Sequence, residues 1–226
     1  MASTHPAMTP AEPDLIEEVS AHIEKTISPY AMVFHEIVSD DLHIDIHHVP
    51  PGPKRPFHAL ITSGMAALPM TTPEGADNAR FAELAIVLAP TWNVRHEAFH
   101  DENVYWPVRL LKVLARFPFA NGTWLGYGHT LADHDPPRPF APATQLCAAV
   151  LLPPMSLGES FFTMERANGQ TVHFWGVVPL YREELELKLA SGADTLLGAL
   201  DRAGVTDVVT QSRKNAARKP KLFGLF

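Results

Sequence analysis

The sequence predicts a single α+β domain, a mixed β-sheet flanked by helices, spanning residues 1–226. Three observations carry that reading. Hydrophobic residues make up 46% of the chain and charged residues 19%, a core-forming balance rather than a disordered one. Segments with an apolar residue every three or four positions lie near both ends and in the middle, and apolar or alternating runs of five to eight residues separate them. The 21 prolines gather between those runs, with no repeat and no long linker to divide the chain.

Residues 1–13 form a loose N-terminus. Asp14 then caps a helix, with Glu17 three residues on, and Leu15, Val19, Ile23 and Ile27 recur every four residues until Pro29 stops the run. Residues 43–49 alternate as a strand, with a polar and solvated face carrying His43, Asp45 and His47, and Pro50-Pro51-Gly52-Pro53 breaks it. Residues 57–63 (FHALITS) and 83–89 (ELAIVLA) read as further strands, the second of them central. Residues 105–130, YWPVRLLKVLARFPFANGTWLGYGHT, join a helix to a loop rich in glycine and aromatic residues. Pro107 suits a first helical turn. Trp106, Leu110, Leu114 and Phe117 give the helix its apolar face, and Arg109, Lys112 and Arg116 mark the wet one. Residues 145–152 (QLCAAVLL) form an unbroken apolar strand. Residues 161–165 and 172–178 form a hairpin turning on Asn168-Gly169. Two helices over 182–190 and 194–203 follow, punctuated by Gly192 and Gly204, before a short strand at 205–210.

Charge is uneven. Residues 213–226 form a basic C-terminal tail with five Lys and Arg and no Asp or Glu; taking those five from the net charge of −7 leaves −12 on residues 1–212. That acidic body argues against nucleic acid as a partner and favours a protein with a basic surface. No segment approaches the roughly 20 apolar residues of a membrane span. The N-terminus lacks the basic and apolar regions of a signal peptide, and the single cysteine, Cys147, excludes an internal disulfide, so a cytoplasmic location is expected.

Candidate chemistry is sparse. His96-Glu97-Ala98-Phe99-His100 matches H-E-x-x-H, which on a helix sets two imidazoles on one face for zinc beside a general base. Its surroundings are polar and bounded by Pro90 and Pro107, and no third ligand follows at the usual distance, so a metal-dependent hydrolase is the alternative reading only. His43-x-Asp45 needs a distant histidine to complete a metal site, since same-face neighbours on a strand lie about 6.6 Å apart. Cys147 sits in an apolar strand as a small core residue. No nucleophile elbow, P-loop or dinucleotide fingerprint is present, and no enzyme activity, metal or cofactor is expected. In the aromatic loop, Gly126 and Gly128 are expected to form turns that present Trp124, Tyr127 and His129, with Asp133 beside them, to a partner.

On FHALITSGMAALPM (57–70), FAELAIVLAPTW (81–92), YWPVRLLKVLARFP, the WLGYGHT loop and the stretch over 172–215, the chain resembles the suppressor-of-fused domain family, in its bacterial single-domain type. That resemblance implies a non-catalytic α/β protein-binding module. Animal members resemble a Hedgehog-pathway repressor that holds a zinc-finger transcription factor between two domains, and the second domain has no counterpart here. Single-domain members imply an immunity protein that neutralises a polymorphic toxin. The functional expectation is therefore a protein-binding module whose acidic surface blocks a toxin domain with a basic surface.

Overall fold

Leu15, Val19 and Ile23, set on one face by their four-residue spacing, are all fully buried along helix α1 (Pro13–Thr26). Asp14 lies inside the first turn of that helix. The computed structural model of the chain describes residues 13–36, 42–132 and 134–218. Among them nine strands join in one sheet: β1 (Met32–Phe34), β2 (Asp45–Val49), β3 (His58–Ser63), β4 (Ala82–Leu88), β5 (Thr130–Leu131), β6 (Ala148–Leu152), β7 (Thr163–Glu165), β8 (Thr171–Leu180) and β9 (Val208–Val209). The main order is β1-β2-β3-β4-β8-β6-β5, so β1 and β5 end the sheet. The sheet is mixed: β4 pairs in parallel with β8 and, past the end of that pairing, with β9, while the remaining pairs are antiparallel. The α+β class expected from the sequence is the class observed.

Side-chain alternation sorts the core into layers. Leu84, Ile86 and Leu88 of β4 and Ala149 and Leu151 of β6 face helix α2 (Glu102–Asn121), packing on its Trp106, Leu110, Leu111 and Leu114. The intervening residues Ala85 and Val87 face α1 with Phe161 and Phe174. On that same side, Ala148, Val150, Val178 and Leu180 receive α3 (Arg182–Ser191) and α4 (Ala193–Arg202), two helices hinged at Gly192.

Several features differ from the sequence-based expectation. Helix α2 starts before Tyr105, capped by Asp101, so Pro107 lies in its interior rather than its first turn. The carbonyl of Asn103, which Pro107 cannot bond, accepts from Gln211 Nε2 instead. The cations of the supposedly wet face reach for partners: Lys112 and Arg116 both hold Glu36, and Arg116 also donates to Leu42 O at 2.8 Å. The polar face of β2 is buried, not solvated, for reasons given below. Strands β1 and β5 add to the expected set.

Residues 161–165 and 172–178 do turn on Asn168-Gly169, though Phe161 belongs to a 3-10 turn (Glu159–Phe161) and β7 begins at Thr163. The start of the basic tail is anchored. Arg213 grips the fully buried Glu184 through two 2.7 Å bonds, stacks over Tyr181, and Arg218 pairs with Glu183 at 2.8 Å. Residues 1–12 and 219–226 of the expected termini lie outside the described residues.

Candidate functional site

The WLGYGHT loop leads from α2 into the terminal strand β5. Gly122 ends α2 in the left-handed conformation, with φ 57°. Trp124 then folds back over Gly126; a Cβ at position 126 would stand 2.6 Å from the indole ring. That ring meets His129 edge-on with centroids 4.4 Å apart, and Leu125 is buried beneath. Gly128 takes the positive φ, 74°, and its N–H donates to Leu151 O at 2.8 Å. Leu151 N–H returns a bond to His129 O at 2.9 Å, which ties the loop to β6. Burial lowers the His129 pKa, opposed by a backbone bond at Trp124 and reinforced by the Lys188 charge. The loop therefore carries a neutral imidazole at pH 7.

Of the residues expected to meet a partner, Tyr127 is the exposed one, at 53%, while Trp124 and His129 are half-buried and support each other. Asp133 lies outside the described residues. Tyr127 lines a groove of about 630 Å³ that the sequence did not reveal. Its floor is apolar: Leu152 from β6, Met155 from the 3-10 turn Met155–Leu157, Leu197 and Leu200 from α4, and Val205 beyond it. Met155 is 64% exposed, so two large unshielded apolar side chains face one groove. Asp201 and Asp207 supply its charge, and no Lys or Arg lines it among the described residues. Asp207 is fixed by Ser156, whose backbone N–H donates at 2.9 Å and whose hydroxyl bonds the second oxygen. The local signal for Met155 is slight: a Met-Ser-Leu segment between Pro154 and Gly158.

The H-E-x-x-H segment does not form an α-helix. His96–Ala98 is a 3-10 turn and α2 begins only at Glu102, so His96 and His100 do not share a helical face; both are exposed with Glu97. Among the described residues no group of three or more His, Cys, Asp or Glu is placed to hold a metal ion. Cys147 is buried.

The histidines of β2 are structural in their contacts. Asp45, 1% exposed, lies 3.0 Å from His35 Nδ1 and 2.8 Å from His43 Nε2, and accepts from Glu36 N–H at 3.1 Å. His47 lies 3.0 Å from Ser63 Oγ and meets Tyr30 edge-on. His48 lies 2.8 Å from His58 Nδ1, under Phe34. Burial pushes the pKa of both His47 and His48 down to about 4. No helix among the described residues is long and apolar enough to cross a membrane.

Comparison with known proteins gives a consistent picture. The family model described as Suppressor of fused protein (SUFU) matches residues 40–214. A SUFU homologue from Neisseria gonorrhoeae FA 1090 shares the fold at a TM-score of 0.66 and 16% identity, over 92% of this chain and 99% of that one. A chain from the Sufu–Fu complex aligns at 0.64 and 18% identity, covering 90% and 92%. Drosophila Suppressor of Fused aligns at 0.60 and 19% identity; 96% of this chain matches, and it spans 54% of that protein's chain. No curated protein matches the sequence.

Proposed function

This chain belongs to the suppressor of fused family, and from that premise we propose that it is a non-enzymatic module that binds another protein. The observation that carries the reading is the end of the sheet at β5: a terminal strand beside an exposed Tyr127 and an apolar, acid-rimmed groove. A terminal strand can accept a partner strand by main-chain hydrogen bonds, with neighbouring side chains adding selectivity. The −12 charge on residues 1–212 favours a basic partner. The Sufu–Fu complex, in which a protein of this fold is bound to another protein, supports the general mode.

In its specific form, the chain is an immunity protein of the cytoplasm that neutralises a toxin domain with a basic surface. Co-expression with a candidate toxin, followed by co-purification and a growth assay, tests this directly. Protection and a stoichiometric complex are expected. Tyr127→Ala should weaken binding roughly 30-fold, the loss of an aromatic anchor worth about 2 kcal/mol. Val113→Ala, at an exposed position on α2, should leave affinity unchanged. A toxin bound equally well by Tyr127→Ala would place the interface elsewhere.

A further inference from the structure

The described chain reaches Arg218, two residues after Ala216 packs on the apolar cluster of Leu180, Leu185, Leu196 and Leu200. That cluster continues into the groove: Val178 and Leu200 belong to both, and Leu152, Leu197 and Val205 pack against its edge. The tail therefore ends its described course on the same apolar body that floors the groove. The eight residues that follow are Lys-Pro-Lys-Leu-Phe-Gly-Leu-Phe, two cations and then four large apolar residues about one glycine. Fully extended, eight residues span at most about 26–29 Å. That reach exceeds the width of a pair of packed helices, whose axes lie about 8–10 Å apart.

We propose that residues 219–226 bind in cis in the groove beside α4. Leu222, Phe223, Leu225 and Phe226 would cover its apolar floor, with Lys219 and Lys221 toward Asp201 and Asp207. Charge selects this site over the nearer depression of about 580 Å³ that the tail itself borders. That depression is lined by Arg182, Arg213, Lys214 and Arg218, and its Glu183 is already paired with Arg218. Two more lysines there meet like charge; in the groove they meet two carboxylates and, among the described residues, no cation. The apolar match has the same sense, since Met155 and Tyr127 are left exposed by every described residue. The tail then acts as a resident occupant at a high effective concentration, which an incoming partner touching Tyr127 has to displace.

This inference does not depend on the identity or existence of a partner. Methyl NMR of the full chain tests it. Replacing the two rings together, Phe223→Ala with Phe226→Ala, should move the methyl resonances of Met155 and Leu197 by more than a linewidth. The methyls of Leu189, an exposed residue of α3 outside the groove, should stay in place and report an unchanged fold. Asp201→Lys, at an exposed position, should move the Met155 and Leu197 resonances in the same direction. These shifts should be independent of protein concentration. Unmoved Met155 and Leu197 methyls in the double variant would overturn the proposal, as would shifts that grow with concentration and so reveal the tail of a second copy.

Discussion

Glu83→Ala should destabilise the protein by about 3 kcal/mol or more, the sum of several buried donors left without an acceptor at about 1–3 kcal/mol each. Glu83 is fully buried on β4. It accepts Thr62 Oγ1 at 2.6 Å, Gly64 N–H at 2.9 Å and Ala66 N–H at 3.0 Å. Burial raises its pKa, and bonds from Ala66, Thr62, Gly64 and Met65 oppose that rise. The carboxylate shapes the turn after β3, where Gly64 sits at φ 123° against His43 O, and a Cβ there would stand 2.1 Å from that oxygen. Thermal unfolding should show a drop on the order of 10 °C, given about 2–4 °C per kcal/mol for a domain of this size. Glu83→Gln, which keeps one acceptor oxygen for the Gly64 and Ala66 N–H groups, should cost about 1 kcal/mol. Equal losses for Ala and Gln would show that the hydrogen bonds do not matter.

Acidification should cost at least as much through a different group of side chains. His47 and His48 are lowered from 6.5 to about 4 by burial, so the folded state resists a proton that the unfolded chain accepts. A base with a depressed folded pKa contributes stability that is complete above 6.5 and is lost as pH falls toward 4. Each histidine can contribute up to about 3 kcal/mol over that window. The Nδ1 atom of each is buried with no hydrogen-bond partner among the described residues, which offer neither ring an acceptor for the added proton. His22, His58 and His129 are lowered in the same direction and add to the slope. Glu83, whose pKa is raised, works against them, because its contribution is complete below 4.5 and is lost as pH rises through its folded value. Urea unfolding from pH 7 to 4.5 should show a steep loss of stability, and His47→Gln with His48→Gln should flatten it. An unchanged slope in the double variant would assign the acid sensitivity elsewhere.

The stripe Leu15, Val19, Ile23 and the set Trp106, Leu110, Leu114 were legible because a helix repeats its buried face within a few residues. The β2 histidines were not. Their polar pattern reads as a wet face, and only the pairing of β2 with β1 and β3 and the packing of Tyr30, Phe34 and His58 around it bury both sides. Pro107 misled for a similar reason, since its orphaned carbonyl is satisfied by Gln211, distant in the chain. Strand β5 has two residues, too few for any alternation to show. At the candidate site, the aromatic loop around Tyr127 carried the main local signal. Met155, the α4 residues Leu197 and Asp201, and Asp207 come from three separate segments, and their convergence is a property of the tertiary structure.

Hydrogen exchange on a purified complex with the partner bears most directly on the proposal that partner binding uses the β5 end of the sheet. Slowed exchange is expected in residues 126–132 and in 152–157, the loop, the terminal strand and the 3-10 turn that flank Tyr127. Protection confined to the opposite edge at β1, or to α1, with residues 126–132 exchanging as in the free protein, would contradict it.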